Sequence, residues 1–145
     1  MASSLGAVAF GIFALARTAP PPPTPTPTFT ATQRSNAQTK LCKRYDLGAR
    51  AVGYESNVTD SPEGPEDQNA MIRIAATNGA LMLDIAAQDP ALDNQFRDSA
   101  HSLATAYQTM AALGTKGMAS KEEYAAAVDD VNAKEVVMEQ LCGGS

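Results

Sequence analysis

The chain opens on an uncharged apolar run, passes through a proline-dense stretch, and then repeats apolar residues every three or four positions in four successive segments. The run LGAVAFGIFALA, Leu5 to Ala16, would span about 18 Å as a helix, short of a hydrocarbon core of about 30 Å. Residues 1–17 therefore read in one of two ways. They are a secretory signal segment ending in the small-residue pattern Ala14-Leu15-Ala16, or the back half of a membrane anchor whose start lies upstream of Met1. Residues 18–29 form a Pro/Thr-rich linker, because proline lacks the N–H and biases its predecessor to extended geometry. APPPPTPTPT is expected to be a semi-rigid polyproline spacer whose threonines are candidates for O-linked sugar.

The four periodic segments predict four helices. The first opens on Thr30-Ala31-Thr32-Gln33, a capping box, and runs to about Ser56 with Leu41, Tyr45, Gly48/Ala49 and Val52 on one stripe. The second covers about Glu66–Gln88, with Met71, Ile74, Ala75, Asn78, Leu81, Met82 and Ile85 as its expected core face. The third starts at Asp89-Pro90, an acceptor cap followed by proline, and carries Leu92, Phe96, Ala100, Leu103, Tyr107 and Met110 to Gly114. The fourth follows a second capping box, Ser120–Glu123, and presents Tyr124, Val128, Val131, Glu135, Met138 and Leu141 before Gly143-Gly144. No stretch alternates with a period of two. Short connections between the helices make the expected fold all-α, an up-down-up-down four-helix bundle over residues 30–145.

That topology gives the two cysteines a role. Helix four runs back towards the linker, so Cys142 ends beside the start of the packed part of helix one, where Cys42 sits. In a chain marked for export, two such cysteines read as a disulfide. Zinc would need two further ligands, and the sequence has one histidine.

Charge is unevenly spread. Residues 1–50 hold six basic residues and one acid, while residues 51–145 hold five basic and fifteen acidic residues, giving the net charge of -5. An acidic chain lacks the clustered cations that nucleic acid requires. The basic residues Lys40, Lys43, Arg44 and Arg50 crowd helix one, and Glu122, Glu123, Asp129, Asp130, Glu135 and Glu139 crowd helix four. Ion pairing between these two antiparallel helices is expected, with the basic cluster also placed to meet anionic headgroups near the linker.

Candidate chemistry is thin. His101 has no identifiable serine or cysteine nucleophile beside it. Asp129-Asp130 with Glu135 and Glu139 lack the loop of a calcium site and read as a solvated face. Asn78 either hydrogen-bonds across the core and fixes helix register or lies at the edge of its stripe. Asn57-Val58-Thr59 matches the N-glycosylation sequon, and the terminal CGGS lacks the aliphatic residues of a prenylation box. No phosphate-loop, zinc-protease or nucleophile-elbow motif is present, so no catalytic residue, cofactor or metal is expected.

With LCKRYDLGARAV, RIAATNGALMLDIAAQDPALDNQFRDSAHSLATAY and DDVNAKEVVMEQLCGG read, residues 30–144 resemble small alanine- and proline-rich proteins of mycobacteria, exported or membrane-anchored. The shared features include the cysteines of LCKRY and QLCGG. Members of that group usually carry a full membrane helix before the linker. The resemblance implies no established activity and no catalytic residue. Some proline-rich mycobacterial proteins of similar layout accompany large envelope complexes, the respiratory supercomplex among them. The functional expectation is therefore a non-enzymatic, membrane-tethered extracytoplasmic domain that binds other envelope membrane proteins. The alternative is a carrier that holds a lipid or small molecule in an apolar cavity between the helices.

Overall fold

The computed structural model describes residues 27–57 and 65–143. The apolar N-terminal run, most of the Pro/Thr linker, and Val58 and Thr59 of the sequon lie outside the described residues.

Four helices follow in order: α1 Ala31–Asn57, α2 Pro65–Ala87, α3 Asn94–Leu113 and α4 Lys121–Gly143. They form an up-down-up-down four-helix bundle. Both capping boxes are made. The Gln33 side chain accepts from the Thr30 N–H at 2.8 Å while Thr30 Oγ1 accepts from the Gln33 N–H. Ser120 and Glu123 repeat the exchange at the head of α4, and those donors hold the Glu123 carboxyl below its ordinary range.

The start of α3 is later than the Asp89-Pro90 signal predicts. Asp89 ends no helix and begins none; its Oδ1 accepts from the Ala91 N–H, and its carbonyl accepts from the Leu92 N–H. A six-residue connection, 88–93, results, which tucks Ala91 and Leu92 into the core. Arg97 then holds that turn by donating to the carbonyls of Ala87, Asp89 and Leu92 at 3.1, 3.0 and 2.9 Å. The end of α2 thereby satisfies carbonyls that have no partner within the helix. At its other end α3 stops at Gly114 with right-handed geometry, φ -70°. Glycine serves there by leaving room, since a Cβ would lie 3.2 Å from the Tyr124 ring.

The core is built from small residues on α2 and larger ones opposite. Ala75, Ala76, Ala80, Leu83 and Ala87 of α2 are buried, against Leu41 of α1, Leu103 and Tyr107 of α3 and Met138 of α4. Gly48 of α1 and Gly79 of α2 meet face to face; a Cβ on Gly48 would stand 3.1 Å from the Gly79 Cα. The two backbones come this close only because neither carries a side chain there. Tyr107 lies across the same crossing, with a ring carbon 3.3 Å from where a Gly79 Cβ would be.

Most of the stripe expected to be the core face of α2 is turned away from the core; of its seven residues only Ala75 is buried, and Met82 is half-buried. Met71, Ile74, Leu81 and Ile85 are 46, 55, 57 and 54% exposed. Asn78 sits among them and is also exposed, so it is no core polar residue and fixes no register inside this bundle. The physical reason is the Gly48–Gly79 crossing. Close approach of α1 selects the alanine-glycine face of α2, and the large side chains are left outside.

Candidate functional site

Cys42 and Cys142 are joined, with Cα atoms 5.4 Å apart and 100 residues between them. The bond ties the last turn of α4 to α1 about three turns in from the start of that helix. The leading turns of α1 therefore run past α4 and pack on the α2–α3 turn, where Ala37 is buried and the Gln38 amide donates to Asp93 Oδ2 at 2.8 Å. Lys40, Lys43 and Arg44 sit at this end. Lys40 lies 4.0 Å from Asp89, and all three are exposed.

Ion pairing between α1 and α4 is not what the basic residues do. Arg50 pairs with Asp46 of its own helix at 2.7 Å, Lys40 reaches Asp89 in the α2–α3 turn, and Lys134 of α4 pairs with Asp130 one turn away. Lys43 and Arg44 make no ion pair among the described residues. The reason is placement: α1 and α4 touch less than any other sequential or closing neighbours.

Polar contact between the helices is concentrated at Glu135. Tyr107 Oη donates to Glu135 Oε1 at 2.5 Å, and Tyr45 Oη donates to the Glu135 carbonyl at 3.0 Å. Three helices, α1, α3 and α4, thus meet at one residue. Burial, followed by the neighbouring Glu135, Glu139 and Asp46 charges, pushes the Tyr45 hydroxyl up to about 12. Burial and the Glu135 bond push Tyr107 far above its ordinary value. A tyrosine raised in the folded state stabilises the fold fully below its unfolded pKa, near 10, and loses that contribution as pH climbs towards the folded value. Stability is therefore expected to be flat from pH 7 to about 10 and to fall above it. Tyrosinate absorbance followed alongside thermal melts checks this, and Tyr107→Phe should shallow the alkaline decline.

His101 Nδ1 lies 3.0 Å from Asp84 Oδ1, with Gln108 Nε2 3.4 Å from the other carboxylate oxygen. The pair joins α3 to α2 at the surface. Its side chains are about half and one-third exposed, and the Thr105 hydroxyl beside it donates to the His101 carbonyl at 2.9 Å. Among the described residues no three or more His, Cys, Asp or Glu side chains are grouped to hold a metal ion.

Grooves lie on the outside of the bundle. One of about 330 Å³ runs along Ala70, Arg73, Ile74, Thr77 and Asn78. Another of about 410 Å³ lies between Arg44 and Ile85, and a third of about 350 Å³ sits below Phe29 and Pro90. None of these three enters between the helices, where Leu41, Leu83, Leu103, Tyr107 and Met138 fill the core.

What sequence reasoning missed is the outward face of α2. The signal was present: a helix apolar on all sides must hide two faces, and one bundle core hides only one. Asn69–Ala87 is long and apolar enough to cross a membrane by length and composition alone, yet only 28% of it is buried within the bundle. No family model, curated protein or solved structure matches the chain.

Proposed function

We propose that the protein is a non-enzymatic helical interaction module, tethered outside the cytoplasm by its N-terminal segment and serving as an accessory factor of an envelope membrane protein complex. The observation that carries this reading is the exposed face of α2, where Met71, Ile74, Leu81 and Ile85 are each about half exposed on a helix whose core contacts do not involve them. Soluble monomers rarely expose a contiguous apolar patch of more than a few hundred Å², and those that do use it for recognition. The Cys42–Cys142 bond supports an oxidising compartment, and the Pro/Thr linker supports a domain held at a distance from a membrane.

The complexes to test first are those of the respiratory chain, as the resemblance to proline-rich envelope proteins implies. Affinity purification of the full chain from solubilised membranes is expected to bring down a reproducible, stoichiometric set of membrane proteins, with the thiols alkylated only after reduction. A monodisperse protein that returns alone in repeated purifications rules the reading out.

A further inference from the structure

The outward residues of α2 have a spacing that says what covers them. Met71, Ile74, Asn78, Leu81 and Ile85 follow one another at intervals of three, four, three and four. This is the a/d seam of a coiled coil, with asparagine at the central a position. The buried residues Ala76, Gly79, Ala80 and Leu83 occupy the opposite side, so among the described residues the five seam positions are all exposed. Alongside it, Ala70 and Thr77 at g positions are small enough for a second helix to approach.

Asn78 selects the partner. Against lipid or a purely aliphatic groove its amide would have no hydrogen-bonding partner, whereas a second asparagine at the same level supplies both a donor and an acceptor. The edges of the seam select the orientation. On the α1 side, Arg44 borders Ile85 in a shared groove, with Lys40 beside it. On the α3 side, Asp84 lines the edge beside His101. A two-fold axis parallel to α2 sets the α1 edge of one copy against the α3 edge of the other, bringing Arg44 and Lys40 towards the other copy's Asp84. A two-fold axis across the helix would set like edges together. Arg73 stands on the α3 side at the other end of the seam, beside Ile74, so it is at the Ile85 end that charge complementarity favours the parallel pair.

We infer that α2 pairs with α2 of a second copy of this chain as a parallel, in-register coiled coil with Asn78 facing Asn78 across the two-fold axis. This rests on reading the outer face of α2 as a recognition surface, and it names the first occupant. The four large apolar side chains present on the order of 400 Å² per copy, which with their flanks reaches the lower end of specific interfaces, about 1,200 Å² in total. The dimer is accordingly a reversible one. A parallel arrangement also puts the starts of both α1 helices, where the Pro/Thr linkers join, at the same end, as two chains in one membrane require.

Sedimentation of the purified full chain between about 1 and 200 μM, a range set by the small interface, should show a monomer–dimer equilibrium. Leu81→Lys, at a residue outside the core, should weaken it at least about tenfold with unchanged helicity and melting temperature. Asn78→Ile should tighten association while adding higher oligomers. Ile85→Cys should give a reducible dimer on mild oxidation. In a parallel pair those two side chains face each other, whereas in an antiparallel pair centred on Asn78 they lie about 21 Å apart along the axis.

A monomer at every concentration with no Ile85→Cys cross-link overturns the inference, as does association that Leu81→Lys leaves unchanged. Loss of binding to phosphatidylglycerol vesicles in Leu81→Lys, with self-association unaltered, would assign the face to lipid instead. Failure of all self-association while membrane proteins still co-purify would remove the dimer and leave the accessory role standing.

Discussion

Replacing Cys42 and Cys142 together by serine is expected to lower the unfolding free energy by up to about 4.7 kcal/mol, the chain-entropy value for a closed loop of this length. For a domain of this size that corresponds to a fall in Tm of about 15–25 °C. The effect is large because the four helices bury mainly alanine, which contributes little transfer free energy per residue. It also concentrates at one place. α1 and α4 close the ring of helices chiefly through this bond and the Tyr45–Glu135 contact, so the reduced protein should lose α4 packing first. Thermal melts followed by far-UV circular dichroism, with and without reductant, measure the change. A difference below about 1 kcal/mol would show that the reduced chain is already constrained in its unfolded state.

Gly79→Val is expected to cost about 2–3 kcal/mol, although valine is the better helix former. Two neighbours decide the sign. The new Cβ would lie 3.3 Å from Tyr107 Cε2 and 3.7 Å from the Gly48 Cα, and the branching methyls reach further into both. Tyr107 cannot swing away cheaply, being fully buried and anchored on Glu135. Gly79→Ala should come out near zero, because a propensity gain of about 1 kcal/mol offsets a contact that is only slightly too close. Shortening the obstacle tests the mechanism: Tyr107→Leu combined with Gly79→Val should lose less than the two single changes added together. Urea unfolding of the four proteins gives the coupling energy directly, and simple additivity would mean that the ring is not what the valine strikes.

Helix existence, helix type and the joining of the two cysteines were legible in the residues because each rests on a local rule. Thr30 with Gln33 and Ser120 with Glu123 make the same capping exchange wherever they occur, and the up-down-up-down order of four helices brings Cys142 back beside Cys42. The face of α2 was not legible in the same way. Periodicity identifies an apolar stripe but carries no sign, so Met71, Ile74, Leu81 and Ile85 read as core although they lie outside. Only the tertiary meeting of Gly48 with Gly79, 31 positions apart, fixes which side of α2 turns inward. Asn78 was misplaced by the same inversion. The α3 start was missed because Asp89 and Pro90 satisfy the requirements of a tight turn as well as those of a helix cap. Pairing of the basic residues failed for a longer-range reason, since charge along a sequence does not specify which faces of two helices oppose each other.

The small-residue interior of α2 separates two kinds of sequence constraint within one element. Substitutions at Ala76, Gly79, Ala80 and Leu83 act on whether the chain folds. Those at positions 71, 74, 78, 81 and 85 change the outer surface and leave the core intact. Related chains are thus free to exchange one outer face for another, altering the company the domain keeps without renegotiating its stability.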